Sequence, residues 1–230
     1  MVLLSSFYLE LPVTHDELAA LVAGFSKPRL EVYLLSVAAD PDRAWSLIQW
    51  EQRVAASMWT EIANCELVVR NAIHRSLQNQ AGTTDWHDQL PRLGIHGADR
   101  RRIDEVIQRL VDEHRVVTVD RVVANLTFTF WTNLVSSAYD RTLWRNGLAD
   151  TFGRAPRRDI HAAMERVKTL RNAIAHHLVL VKDSRSETSN ERLERGVSAI
   201  HRLIRLTTLP LLADKLCTAQ TKELVKQRPV

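Results

Sequence analysis

The chain is poor in the residues that punctuate strands and turns. Seven glycines and seven prolines are spread over 230 residues, too few for many tight hairpins and in keeping with long helices. Only two cysteines occur, Cys65 and Cys217, far apart and outside any CxxC pattern. That arrangement argues against a zinc site and for free thiols in a reducing cytosol. The opening stretch MVLLSSFYLELP has no Lys or Arg ahead of its short apolar run and no small-residue cleavage pattern behind it, so it does not read as a signal peptide. No run approaches the roughly eighteen uninterrupted apolar residues of a membrane span. HExxH, clustered carboxylates, a Gly-rich phosphate loop and a GxSxG elbow are all missing, and the nine histidines are scattered. The expectation is a cytoplasmic protein with no metal, no cofactor and no membrane partner.

Apolar residues make up 45% of the chain and charged residues 25%, an ordinary globular mixture with ample length for a core. A net charge of +4 suits a polyanionic partner without demanding one. The pattern parses as successive helices. Thr14 and Glu17 form a capping box that opens a short helix through Val22. Ser26 with Pro28 opens a second. Asp40-Pro41 opens a long third, whose apolar residues recur at helical spacing through Ile62, Val69, Ile73 and Leu77 until Gly82. A loop with a short helix follows, then a charged helix from Ala98 to His114. Residues 119–144 are the most apolar stretch and predict a central core helix. Another helix is expected from Asp159 to about His177. The polar run KDSRSETSNER (182–192) predicts a mobile loop, and two basic helices, about 191–208 and 211–226, end the chain. The fold class expected is all-α, a single domain over 1–230 without significant sheet. Residues 1 to about 38 could form a small N-terminal appendage. The basic stretches ADRRRIDEVIQR and FGRAPRRD read as a solvated helix face or helix start rather than as RNA contacts.

The tetrapeptide RNAI occurs twice, at 70–73 and 171–174, each time in apolar helical surroundings with a histidine close behind. In the first copy Glu66, Arg70 and His74 are spaced i, i+4, i+8 and form one stripe. Glu66 and Arg70 read either as an ion pair supporting the helix or as a carboxylate–arginine pair orienting a site. In the second copy Arg171 and His176 are five residues apart, about 140° around an ideal helix. Their tips do not share a face of a straight helix; they converge only where the helix ends or bends, or on a second molecule. His177 falls nearly in line with Leu170 and Ile174, which predicts a packed, hydrogen-bonded histidine. His176 points elsewhere and is the better catalytic candidate. Arg followed by His also occurs at Arg109/His114, Arg154/His161 and Arg195/His201, so spacing alone does not single out Arg171. Its context does: Asn172 beside it, doubled histidines, and an apolar helix leading in.

That context, RNAIAH at 171–176 with a second His after it, resembles the Abi-like (abortive infection) proteins of the HEPN superfamily. RLEVYL from 29, ELVVRNAIHRSL (66–77) and FTFWTNLVSSAYDRTLW (128–144) look like further Abi-like segments in the same order, so the resemblance covers residues 28 to about 180. The chain departs from the pattern just after the doubled His. Leu178-Val-Leu-Val181 stands where Abi-like sequences often have a polar or acidic residue and a proline. The resemblance implies a HEPN-type helical bundle with additional helices that dimerises and brings two motifs together. It also implies a metal-independent ribonuclease acting as a toxin or in phage defence, with an RNA substrate and an antitoxin, protein or small RNA, as partner. By position, Arg171, Asn172 and His176 match the catalytic motif, while Glu66, Arg70, Asn71 and His177 are supporting candidates.

The residue types suit that chemistry. Metal-independent RNA cleavage uses the 2′-OH as nucleophile and needs a base, an acid and positive charge on the phosphorane. Histidine, with a reference pKa of about 6.5, serves the proton steps; arginine's planar fork serves the phosphorane. One motif supplies one of each, and two facing motifs would supply acid and base together. The competing expectations are a non-catalytic RNA- or protein-binding HEPN module and a regulator acting through protein contacts alone.

Overall fold

The computed structural model describes residues 14–183, 187–208 and 210–229, and among these every regular element is a helix. Thr14 and Asp40 cap their helices as the sequence suggests, whereas Ser26, at the head of the second helix, makes no side-chain cap bond. Thr14 and Glu17 exchange both bonds of a capping box at the start of α1 (His15–Phe25). α2 (Lys27–Ser36) starts with proline in its first turn. The Asp40 side chain accepts from the amides of Asp42 and Arg43 at the head of α3 (Pro41–Ala81), which ends on Gly82 in the left-handed conformation at φ 70°. At 41 residues α3 is about 60 Å long and is the axis of the fold. Short helices follow: α4 (Leu90–Leu93), α5 (Gly97–Asp112), α6 (Val119–Asn125) and α7 (Phe128–Leu134). A π-helical segment at Asp140–Leu148 leads into α8 (Ala149–Thr151), α9 (Arg157–Ala175) and α10 (Ser189–Thr207). The chain closes on α11 (Pro210–Leu216) and α12 (Gln220–Lys226).

α3 packs against α2, α9, α10 and α12, and its buried side chains from Leu47 through Leu77 line one continuous core. The central helix expected over 119–144 is not formed; that role belongs to α3. Leu126 takes extended angles (φ −76°, ψ 132°), and the Asn125 amide turns back to donate to the Arg121 carbonyl at 2.8 Å, a local bond that competes with helix continuation. The stretch is apolar because Phe128, Phe130, Trp131 and Leu134 are enclosed on all sides, not because it is one long helix. Between it and α5, the buried Asp99 accepts from the Tyr139 hydroxyl at 2.9 Å and from the Asn133 amide at 3.0 Å.

Of residues 1 to about 38, those at 1–13 lie outside the described residues, and α2 places Leu30 and Tyr33 in the core. Of the polar run 182–192, residues 184–186 lie outside the described residues. Its last part is the head of α10, where Thr188 and Glu191 form a second capping box. The expected final helix is two short ones, because Thr218 leaves the helical path and donates its hydroxyl to Glu61 at 3.1 Å. Glu61 is 4% exposed. Its other bonds are to Thr221 Oγ1 at 2.8 Å and His201 Nε2 at 3.0 Å, so one α3 carboxylate ties α10 and the C-terminal helices to the axis. Removing it takes this acceptor from the buried His201 and Thr221 and unties the exposed Thr218 from the axis. Glu61→Ala is expected to lower stability by about 2–4 kcal/mol in urea denaturation, with amide-exchange protection lost first in α12; an unchanged midpoint would contradict this role.

Candidate active site

α9 turns Ile160, Ala163, Met164, Val167 and Leu170 into the core and runs out at Ala175. Its end is a Schellman motif: the His177 amide donates to the Ile174 carbonyl at 3.0 Å and the Leu178 amide to the Ala173 carbonyl at 2.8 Å. His177 occupies the left-handed position at φ 52°, where histidine is among the better-tolerated non-glycine residues. The packed, hydrogen-bonded His177 expected from the helical stripe is therefore not what forms. The helix stops two residues short of it, and its side chain is exposed; its backbone is what is engaged, the amide in the turn and the carbonyl by the Arg29 guanidinium. His176, at the C-cap, is also exposed, and its imidazole makes no hydrogen bond or ion pair among the described residues.

Arg171 points the other way, onto α3. Its Nε lies 3.7 Å from Glu66 Oε1, its guanidinium lies 5.9 Å from the Trp59 ring centroid, and its Nη1 donates to Asn172 Oδ1 at 3.4 Å. Residue spacing on α3 explains the pairing of Trp59 and Glu66: seven positions is two turns, so both face α9. The intrahelical Glu66–Arg70 ion pair is absent. Arg70 instead donates to Asn71 Oδ1 at 3.2 Å, the same neighbour bond that Arg171 makes to Asn172. Glu66 is half-buried and its Oε1 is shielded from solvent without a hydrogen bond, since 3.7 Å is an ion-pair distance rather than a hydrogen bond. Burial raises the Glu66 pKa above the usual carboxylate range, while Arg171 and Arg70 pull against that rise. The geometry thus joins Arg171, Asn172 and Glu66, sets Arg70 one turn further along the same α3 face with Asn71 beside it, and leaves both imidazoles at the helix end without a partner among the described residues.

Four residues around this site carry no motif. Glu51 accepts from the Tyr33 hydroxyl at 2.8 Å and from the amides of Leu180 and Val181 at 2.8 and 3.2 Å, with Arg29 3.8 Å away. The second half of the apolar exit after the doubled His is therefore core: Leu180 and Val181 are buried, and Glu51 holds their backbone. Arg29 and Tyr33 sit four residues apart on one face of α2, a spacing visible in RLEVYL but with no partner named by the sequence. Trp59 is the fourth, detectable only through its register with Glu66. Beside it opens a groove of about 650 Å³ between α3, α1 and the end of α9. Among the described residues no three His, Cys, Asp or Glu side chains gather to hold a metal ion, and no helix is long and apolar enough to cross a membrane. Comparison with protein-family models, with curated proteins and with solved structures returns no match to the chain.

The first RNAI copy ends differently from the second. The Trp86 indole N–H donates to His74 Nδ1 at 2.9 Å. An indole only donates, so His74 is neutral with its proton on Nε2. Burial, ahead of the nearby arginines, lowers its pKa below the ordinary histidine value. A depressed folded-state pKa means that the unfolded chain takes up the proton first as pH falls through about 6.5. The stability contributed by neutral His74 is present above that pH and is lost below it. His74→Asn keeps an acceptor for the indole but does not titrate. Its urea midpoint is expected to fall less than that of the wild type between pH 7 and 5; equal falls would show that His74 is not a source of the acid sensitivity.

Proposed function

We propose that the chain is a metal-independent RNA endonuclease of the HEPN type, working as a homodimer in the cytoplasm as a toxin or in phage defence, and held in check by an antitoxin of protein or RNA. The observation that carries the reading is the split at the end of α9. Arg171 is oriented by Glu66 and Trp59, while His176, five residues on, stands exposed with an unengaged imidazole.

Arg171 would bind the non-bridging oxygens of the scissile phosphate and hold the phosphorane charge, with Asn172 steadying its guanidinium. His176 would exchange a proton with the 2′-OH or with the leaving 5′-oxygen. One His176 cannot be base and acid in the same step, so the His176 of a second copy completes the pair. The product is a 2′,3′-cyclic phosphate and a free 5′-OH.

A second reading, a non-catalytic RNA- or protein-binding module, is favoured by one observation: among the described residues no hydrogen bond or ion pair joins Arg171 to His176 within a single copy, so the copy alone does not couple the two. One assay separates the two. Labelled single-stranded RNA is incubated with wild type, His176→Ala and Arg171→Ala in EDTA, and products are tested for a cyclic phosphate. Cleavage by the wild type with a loss of about 10²–10⁴-fold in His176→Ala is expected. Equal cleavage by the alanine protein would sink the nuclease reading, and RNA retained but uncut by the wild type would establish the binding module.

A further inference from the structure

The α3 face that carries Glu66 continues toward the helix start as Trp59, Ala55 and Gln52, spaced about two turns from end to end. With Ala56 these side chains form one wall of the 650 Å³ groove, and Ile174, His177 and Leu178 from the end of α9 form another. That volume is in the range of small-molecule sites. Trp59 is 42% exposed and Leu178 58%, so two large apolar surfaces border the groove from different elements. The alanines between Gln52 and Trp59 leave its floor low. The charged lining is already satisfied: Glu51 by Tyr33 and two backbone amides, Arg29 by the His177 carbonyl. Gln52 is different. Its side chain is exposed and makes no hydrogen bond among the described residues, so both its donor and its acceptor are available.

The groove ends on the ring over which Arg171 lies. A ligand that fits has a flat, weakly polar face for Trp59, a hydrogen-bonding edge for the Gln52 amide, and an attached anion within reach of the Arg171 guanidinium. A nucleotide of single-stranded RNA has all three, and aromatic side chains are the usual platforms for unstacked bases. A base inside a duplex has its faces covered and its pairing edge occupied, so it does not fit. We infer that this groove is a base-binding subsite: one unstacked base next to the scissile phosphate stacks on Trp59 and presents its edge to Gln52, which makes single-stranded RNA the substrate. The inference rests on the ribonuclease reading of Arg171 and His176.

The test uses the full chain and two substrates: a labelled single-stranded oligoribonucleotide made uncleavable by 2′-O-methyl groups, read by anisotropy, and the unmodified oligonucleotide, read by cleavage. Trp59→Ala is expected to weaken binding by about tenfold or more and to raise KM more than it lowers kcat. Trp59→Phe keeps a stacking face and retains binding; Trp59→Leu, apolar but not aromatic, loses it, which separates stacking from loss of fold. Gln52→Ala, which touches nothing at Arg171, weakens binding for some bases more than others. The duplex form competes poorly. If the wild type cleaves and Trp59→Ala cleaves with the same KM, the subsite is wrong and the nuclease reading stands. If the oligonucleotide binds through Trp59 and is never cut, the subsite stands and the nuclease reading falls. A duplex bound as tightly as the single strand overturns the subsite.

Discussion

The Glu51 carboxylate, 6% exposed on α3, accepts from the Tyr33 hydroxyl and from the two successive amides of Leu180 and Val181. Burying a carboxylate costs several kcal/mol unless its oxygens are satisfied and a countercharge is near; here three donors satisfy it and Arg29 stands 3.8 Å away. The consequence reaches past the bond itself. The chain leaving α9 must pass the level of Glu51 to deliver those two amides, and Arg29 grips the His177 carbonyl on the way. The Schellman turn at His177 is thus fixed from outside as well as by its own two bonds. With the turn fixed, so are the sites from which Arg171 reaches inward and His176 projects outward.

α3 carries three carboxylates into or toward the interior, and they differ in how fully they are satisfied. Glu51 and Glu61 each have three hydrogen bonds and behave as rivets, one for α2 and the α9 exit, the other for α10 and the C-terminal helices. Glu66 has none on its shielded oxygen and meets Arg171 only at ion-pair distance. Buried polar atoms are paired as a rule, so an unpaired one asks for a reason. A reason consistent with the proposed chemistry is orientation without commitment. A loose pair aims Arg171 while leaving most of its donors for phosphate, whereas a tight bidentate pair would occupy them. The stacking of the same guanidinium over Trp59 restrains it without consuming a donor.

The sequence made some of this readable and hid the rest for definable reasons. Local chemistry was readable: the capping boxes, Asp40-Pro41, and Gly82 after the long helix all act within a few residues of where they stand, so spacing alone locates them. The divergence of Arg171 and His176 was readable from the helical angle. Side-chain partners set by tertiary packing were not. Glu66 has a candidate partner in its own helix at Arg70, and nothing in the pattern says that α9 delivers a competing arginine. Glu51 lies in a stretch with no motif, and its donors are backbone amides, which have no letter. Residues 119–144 misled because apolarity reports burial, and a run buried on all sides looks the same whether it is one helix or several. His177 misled because the stripe argument carried the helix two residues beyond its end.

The two RNAI tetrapeptides show how little four letters fix. Each makes the same bond from its arginine to the following asparagine, the part of the pattern that is purely local. Everything else differs because of what comes next. The first copy lies inside a 41-residue helix, so the chain continues, His74 arrives within a turn, and Trp86 locks it as a neutral acceptor. The second copy ends one residue before its helix does, so its histidines fall in the cap and the turn, where no side-chain partner is waiting among the described residues. A histidine already bonded to an indole cannot exchange protons with a substrate without breaking that bond; a free one at a helix end can. With no partner for His176 among the described residues, the proposed chemistry makes its partner a matter of assembly, to be supplied by a second copy of the chain.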